Sequence, residues 1–179
     1  MKKNIVLFVL FILPIVAYLF FASGIHSFAK LPIVTESIPD FGEWKTVEGN
    51  KLTLDNKITV LGFPGTDLLY NKGDAFNLNQ KIYNKVREFK DFQLVMVVPI
   101  GVEDQTKQLK EELGRISDLS RWHYLFATPE EIKTYYKQLD LIGTLDQNVG
   151  THNVFIVDKE RNLRGRKGMN KKGEDEYKE

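Results

Sequence analysis

Two largely apolar runs, within Lys57–Phe63 (KITVLGF) and Phe92–Pro99 (FQLVMVVP), bracket a segment of helical periodicity, and that succession leaves few architectures open. Neither run alternates apolar with polar residues, which marks strands covered on both faces rather than washed by solvent on one. Between them Ala75, Leu78, Ile82, Val86 and Phe89 recur at helical spacing and predict a helix through Lys90.

The same alternation continues. Glu103–Ser117 predicts a charged amphipathic helix with Leu109, Leu113 and Ile116 on one side, slightly weakened by Gly114. Trp122–Phe126 reads as a third strand. Thr128-Pro129-Glu130-Glu131 then opens a helix to about Gln138, with Thr128 suited to the N-cap, Pro129 to the first turn and Glu131 to the reciprocal capping bond. Asn153–Val157 is a fourth strand, and Asp158–Asn162 a polar turn into Leu163-Arg164. Ahead of the first core strand, Ile38–Phe41 and Lys51–Leu54 bracket a turn around Glu48-Gly49-Asn50 and predict a short hairpin. Strands alternating with helices and closing in a hairpin predict an α/β sheet flanked by helices. No internal repeat is visible.

The N-terminus has its own logic. Met1-Lys2-Lys3 precedes an uncharged run from Ile5 to Ala22, close to the ~20 residues a helix needs to cross a hydrocarbon core. Two leading lysines place that end in the cytoplasm and the rest of the chain outside it. A cleavable signal is the alternative, with Ser27-Phe28-Ala29 as a cleavage site, but its apolar core is usually only ~7–15 residues, and the longer run favours an uncleaved anchor. The expected plan is therefore an anchor or signal over 1–24, a tether over 25–37, one domain over 38–168 and a polar tail over 169–179. Localisation is expected at the cytoplasmic membrane, with the domain on the periplasmic or other extracytoplasmic side.

Composition removes several functions. With no cysteine, the chain cannot form a disulfide, a thiolate metal site or a thiol nucleophile, and it carries no lipobox. A net charge of +1 argues against a nucleic-acid footprint. The three histidines, His26, His123 and His152, show no i,i+4 spacing and suggest no zinc constellation; alternation with Trp122 and Tyr124 makes His123 a solvent-facing position. Arg161, Arg164, Arg166, Lys167, Lys171 and Lys172 form a basic cluster, read as a solvated hairpin and tail because Glu174, Asp175 and Glu176 come directly after it.

Three segments resemble a known family. Gly62-Phe63-Pro64-Gly65-Thr66-Asp67-Leu68-Leu69-Tyr70 resembles the GYTxCxxxC-like loop of the SCO/SenC branch of the thioredoxin superfamily, with Thr66 and Tyr70 standing at the two cysteine positions. Trp122–Ile132 (WHYLFATPEEI) is similar to the segment that SCO-like proteins place before a helix. Gly150–Asp158 (GTHNVFIVD) looks like the late "PTTFLID" strand of the superfamily. The resemblance implies a thioredoxin-like fold and the neighbourhood of respiratory oxidase assembly. In that branch copper is held by both loop cysteines and a histidine before the late strand. Here Thr66 and Tyr70 replace the thiolates and His152 lies about two residues late, so neither a metal nor another cofactor is expected. The implied function is a membrane-anchored, exported, non-catalytic binding or assembly factor with a protein partner. Two alternatives stay open: an exported enzyme of non-thiol chemistry using Tyr70 or Asp67 with His152, or a decayed paralogue with a structural role. Asp67 has the plainer reading of capping a turn or helix start. A thioredoxin-like domain also normally closes with a helix after its hairpin, and no such pattern is seen after Gly165.

Overall fold

β2 (Ile58–Pro64), β3 (Phe92–Pro99) and β4 (Trp122–Ala127) form the parallel part of the sheet, as the apolar runs require. The computed structural model describes residues 2–22, 31–141, 143–169 and 175–178. β5 (Gly150–Val157) pairs antiparallel with β2 on its other side, β6 (Leu163–Arg164) with β5, and β1 (Ile33–Thr35) with β6. The spatial order is thus β1-β6-β5-β2-β3-β4 in a mixed six-stranded sheet. Alternate residues of the central strands feed two cores. Leu61, Phe63, Val95, Val97, Leu125 and Phe155 pack under α5 (Pro129–Gln138), and Val60, Leu94, Met96, Trp122 and Tyr124 pack under the helices of the opposite face. Each fully buried side chain of this kind contributes about 1.5–3 kcal/mol, so the sheet is stabilised from both sides.

The α5 entry forms as the sequence predicts. Thr128 Oγ1 accepts from the Glu131 N–H, and the Glu131 carboxylate accepts from the Thr128 N–H at 2.8 Å. These bonds, the backbone one first, hold the Glu131 carboxyl below its ordinary pKa. α4 covers Glu103–Gly114, with Leu109 and Leu113 buried. It ends before Ile116, which is 54% exposed rather than on the inner face.

The helical region between β2 and β3 departs from expectation. It starts earlier, as α2 (Lys72–Leu78), widens into a π-helical turn (Asn79–Tyr83) and ends as α3 (Asn84–Val86). A π turn carries an extra residue, so the face that meets the sheet rotates partway along. Asn79 and Tyr83 become buried, whereas Ile82 and Phe89, apolar on the expected face, are exposed. Asn79 is held there by Asn84 Nδ2 and Ser117 Oγ, each donating to its Oδ1 at 2.7 Å.

The predicted hairpin over 38–54 is absent. Those residues form loops tied by the Asp40 carboxylate, which accepts from Leu54 N–H at 2.9 Å and Thr53 Oγ1 at 2.5 Å. Side-chain bonding here replaces a strand ladder; only Lys45 bridges to Phe126. Residues 33–35, expected within the tether, supply edge strand β1. His123 is half-buried rather than solvent-facing, and burial, followed by the charge of Lys110, lowers its pKa. Beyond β6 the described residues hold no helix; β7 (Arg166–Met169) pairs with β8 (Asp175–Lys178) where a polar tail was expected.

Residues 1–30 form a separate unit. Its helix α1 covers Lys2–Ala22 and contains Pro14. Among the described residues no helix is long and apolar enough to cross a membrane.

The β5–β6 turn is organised by Asp158, which accepts from the N–H groups of Glu160 and Asn162 and from Arg164 at 2.6 Å. Burial pushes this carboxyl's pKa up, but the Asn162 and Arg164 hydrogen bonds outweigh it and the net shift is downward. A depressed carboxyl stabilises the fold above the unfolded-state pKa of about 3.9, and the contribution disappears as pH falls through the folded-state value. Asp158→Ala is expected to cost about 2 kcal/mol in urea titrations at neutral pH. The difference from wild type should vanish in acid.

Candidate functional site

β2 ends at Pro64, and the chain turns at Gly65 with φ of +73°. Only glycine fits this position: a Cβ would stand 2.6 Å from the Asn148 carbonyl oxygen and 3.0 Å from Gly150 Cα. The loop after β2 therefore lies directly against the turn that leads into β5. Thr66 N–H donates to the Asn148 carbonyl at 3.1 Å, and Asn148 Nδ2 donates to Asp67 Oδ2 at 2.7 Å. The facing turn is built on Asp146, whose Oδ1 accepts from the N–H groups of Asn148 and Gly150. It also holds the β-branched, buried Val149 at φ of +61°. Such a conformation is a genuine outlier and costs on the order of 1–3 kcal/mol, persisting where surrounding bonds over-determine it.

The four residues singled out from the sequence divide among three places. Thr66 and Asp67 belong to this clasp, where the Asp67 side chain holds Asn148 and its carbonyl accepts from Asn71 N–H. Tyr70 stands 90% exposed. His152, near the start of β5, bonds through Nδ1 to Asp74 Oδ2 at 2.6 Å, with both side chains largely solvent-exposed. Asp74 escaped the sequence reading. Its visible signal was an acid in the first turn of α2, which ordinary helix energetics already explains.

No hydrogen bond among the described residues joins His152 to Tyr70 or to Asp67. A base acting on a hydroxyl must be within hydrogen-bond reach of it, so the arrangement lacks the contact that a Tyr70–His152 or Asp67–His152 enzyme site requires. The copper site implied by the resemblance does not fit either. Neutral hydroxyls are poor partners for Cu(I), which favours soft sulfur, and no group of three His, Cys, Asp or Glu residues among those described is arranged to hold a metal ion. His123 lies on β4, with β2 and β3 between it and β5; His26 lies outside the described residues. Within the expected basic cluster, Arg161 pairs with Asp55 and Arg164 with Asp158. Behind the Asp74–His152 pair, between the α2–π helix and the sheet, is a cavity of about 240 Å³.

Comparison with solved structures shows a thioredoxin-like fold. The soluble domain of Sco1 from Bacillus subtilis is 14% identical, with a TM-score of 0.53 over 76% of this chain and 83% of that one. A thiol:disulfide interchange protein from Bacteroides sp. is 17% identical, with a TM-score of 0.52 over 73% and 79%. The thioredoxin domain of a thiol-disulfide oxidoreductase from Bacteroides vulgatus is 18% identical, with a TM-score of 0.50 over 77% and 87%. No protein-family profile matches the chain, and neither does any curated protein sequence. At these identities the likeness concerns the fold, and this chain has no cysteine with which to perform thiol–disulfide exchange.

The clasp makes a sharp demand on Gly65. Gly65→Ala is expected to destabilise the domain by about 2 kcal/mol or more, because it adds left-handed strain to a backbone collision. A drop in thermal midpoint would register it. Gly73→Ala, at a glycine with open space around it, should leave the midpoint nearly unchanged.

Proposed function

We propose that this chain is a non-catalytic binding or assembly factor: a thioredoxin-like domain held to the cytoplasmic membrane by α1, exposed on the extracytoplasmic side, and presenting its Thr66–Tyr70 loop to a protein partner. The observation that carries the reading is this loop. It occupies the address at which the SCO/SenC resemblance expects two cysteines, holds hydroxyl residues there, is pinned at its base by Asn148, and turns Tyr70 90% into solvent. Tyrosine on a preorganised surface is among the residues that most often anchor protein interfaces. Fixing the loop base beforehand lowers the ordering cost of association.

Support for anchoring comes from α1 itself. It is 21 residues long, carries lysine only at its start, and exposes large apolar side chains on all sides, from Val6 through Leu19. A helix apolar all round needs a non-aqueous environment. The SCO/SenC-like loop and the TPEEI-containing segment make respiratory oxidase assembly the first place to seek the partner. Copper carriage forms no part of this reading, since Thr66, Tyr70 and His152 do not compose a Cu(I) donor set.

Three measurements test it. Alkaline carbonate washing should leave the full chain in the membrane pellet and release a variant lacking residues 2–22; release of both forms would refute the anchor. In membranes solubilised from cells assembling the oxidase, Tyr70→Ala should weaken co-purification of the oxidase or its assembly proteins about tenfold, a loss typical of an interface anchor, without shifting the thermal midpoint. Undiminished recovery would remove the loop from the interface. Titration with Cu(I) against a competing chelator should show no tight stoichiometric site, and a high-affinity site abolished by His152→Ala would overturn the non-copper reading.

A further inference from the structure

The cavity beneath α2 is a gap in one of the two cores, and its causes can be named. Leu78, just before the π turn, and Ile82, within it, line the cavity on the helix side. Below them, Gly62 in the middle of β2 contributes no side chain. The room that this leaves is taken by Met96, whose Sδ would lie 2.5 Å from a Cβ at position 62. Methionine is the most adaptable of core side chains and re-packs at little cost. Trp122 and Val154 complete an apolar lining. π turns recur at functional sites because the irregularity opens space that a regular helix would close.

The mouth is polar in a specific way. His152 and Asp74 both border it. An ionised carboxylate can only accept, so the 2.6 Å bond to Asp74 Oδ2 places the proton on His152 Nδ1. In the neutral imidazole the other ring nitrogen, Nε2, is then an acceptor, with no hydrogen-bond partner among the described residues. The site thus combines apolar lining from Leu78, Met96, Trp122 and Val154 with polar lining that includes His152, Asn77, Lys81 and Asn153. At about 240 Å³ the cavity exceeds the roughly 150 Å³ of an apolar cavity that takes up benzene.

From this geometry we propose that the cavity is a binding site for a small phenol-class molecule, its ring in the chamber formed by Leu78, Ile82, Met96 and Trp122 and its hydroxyl donating to His152 Nε2. The site adjoins the Thr66–Tyr70 loop without including Thr66 or Tyr70, so it stands or falls separately from partner recognition through that loop.

The test uses the full chain and two probes of nearly equal shape, p-cresol, which can donate, and p-xylene, which cannot. Binding is tracked by NMR at the Trp122 indole signal and the His152 ring, with the Trp44 indole, which packs in the opposite core, as internal reference. Saturable shifts are expected at Trp122 and not at Trp44, with p-cresol binding about five- to tenfold more tightly, the ratio of one net hydrogen bond. His152→Leu should abolish that preference and leave p-xylene binding in place. Ala75→Leu, which fills the chamber, should remove both; Ile82→Trp serves the same purpose at a residue already partly exposed. No saturable shift up to millimolar probe, or shifts that survive both filling variants, would overturn the site. Equal affinity for the two probes would overturn the assignment of the hydroxyl to His152.

Discussion

β2 is hydrogen-bonded along both edges, to β3 in parallel and to β5 antiparallel, and is covered on both faces. Its pairing with β3 runs to Gly62, and beyond that its end at Pro64 is held by β5 alone, so the loop beginning at Gly65 starts against the β5 side. Pro64 pairs with Gly150, Gly65 presses against the Asn148–Gly150 turn, and the two loops become one unit. The left-handed backbone of Val149 is tolerated because three hydrogen bonds through Asp146 and Asn148 hold the turn around it. The candidate surface is in this sense a by-product of how the central strand is paired.

On that scaffold the absence of thiols changes what the loop can do. With Thr66 and Tyr70 there and no cysteine in the chain, the loop has no thiol with which to exchange disulfides. Asp74 of the Asp74–His152 pair lies in the first turn of α2, and the clasp lies in the loop that leads into that helix. The cavity arises where that helix loses its regular period. Loop, pair and cavity thus share one structural origin in the β2–α2 connection.

Much of the framework was legible in the chain. β3 begins and ends where the largely apolar run does, because it is buried on both faces along its length, Gln93 included. The Thr128–Glu131 box formed because both of its bonds are local, made within one helical turn. Other features were hidden for physical reasons. The apolar spacing of Ala75, Leu78, Ile82, Val86 and Phe89 suits a regular helix, and nothing local signals that a π turn would bury Asn79 and Tyr83 instead; the bonds that hold Asn79 come partly from Ser117. Loops tied by Asp40 resembled a hairpin, since turn residues look alike whether strands or side-chain bonds flank them. β1, at three residues, was too short to carry a pattern.

The sequence alone determined the succession of buried strands and helices, the capped start of α5 and the impossibility of thiol chemistry, because these depend on residue type and on neighbours within a turn. Only the tertiary structure decided that Thr66 and Asp67 are clasped by Asn148, that His152 is oriented by Asp74 rather than by Tyr70, and that a cavity remains between the α2–π helix and the sheet. Each of those joins residues far apart in the chain, and such contacts depend on where the sheet places its strands, which no local pattern encodes.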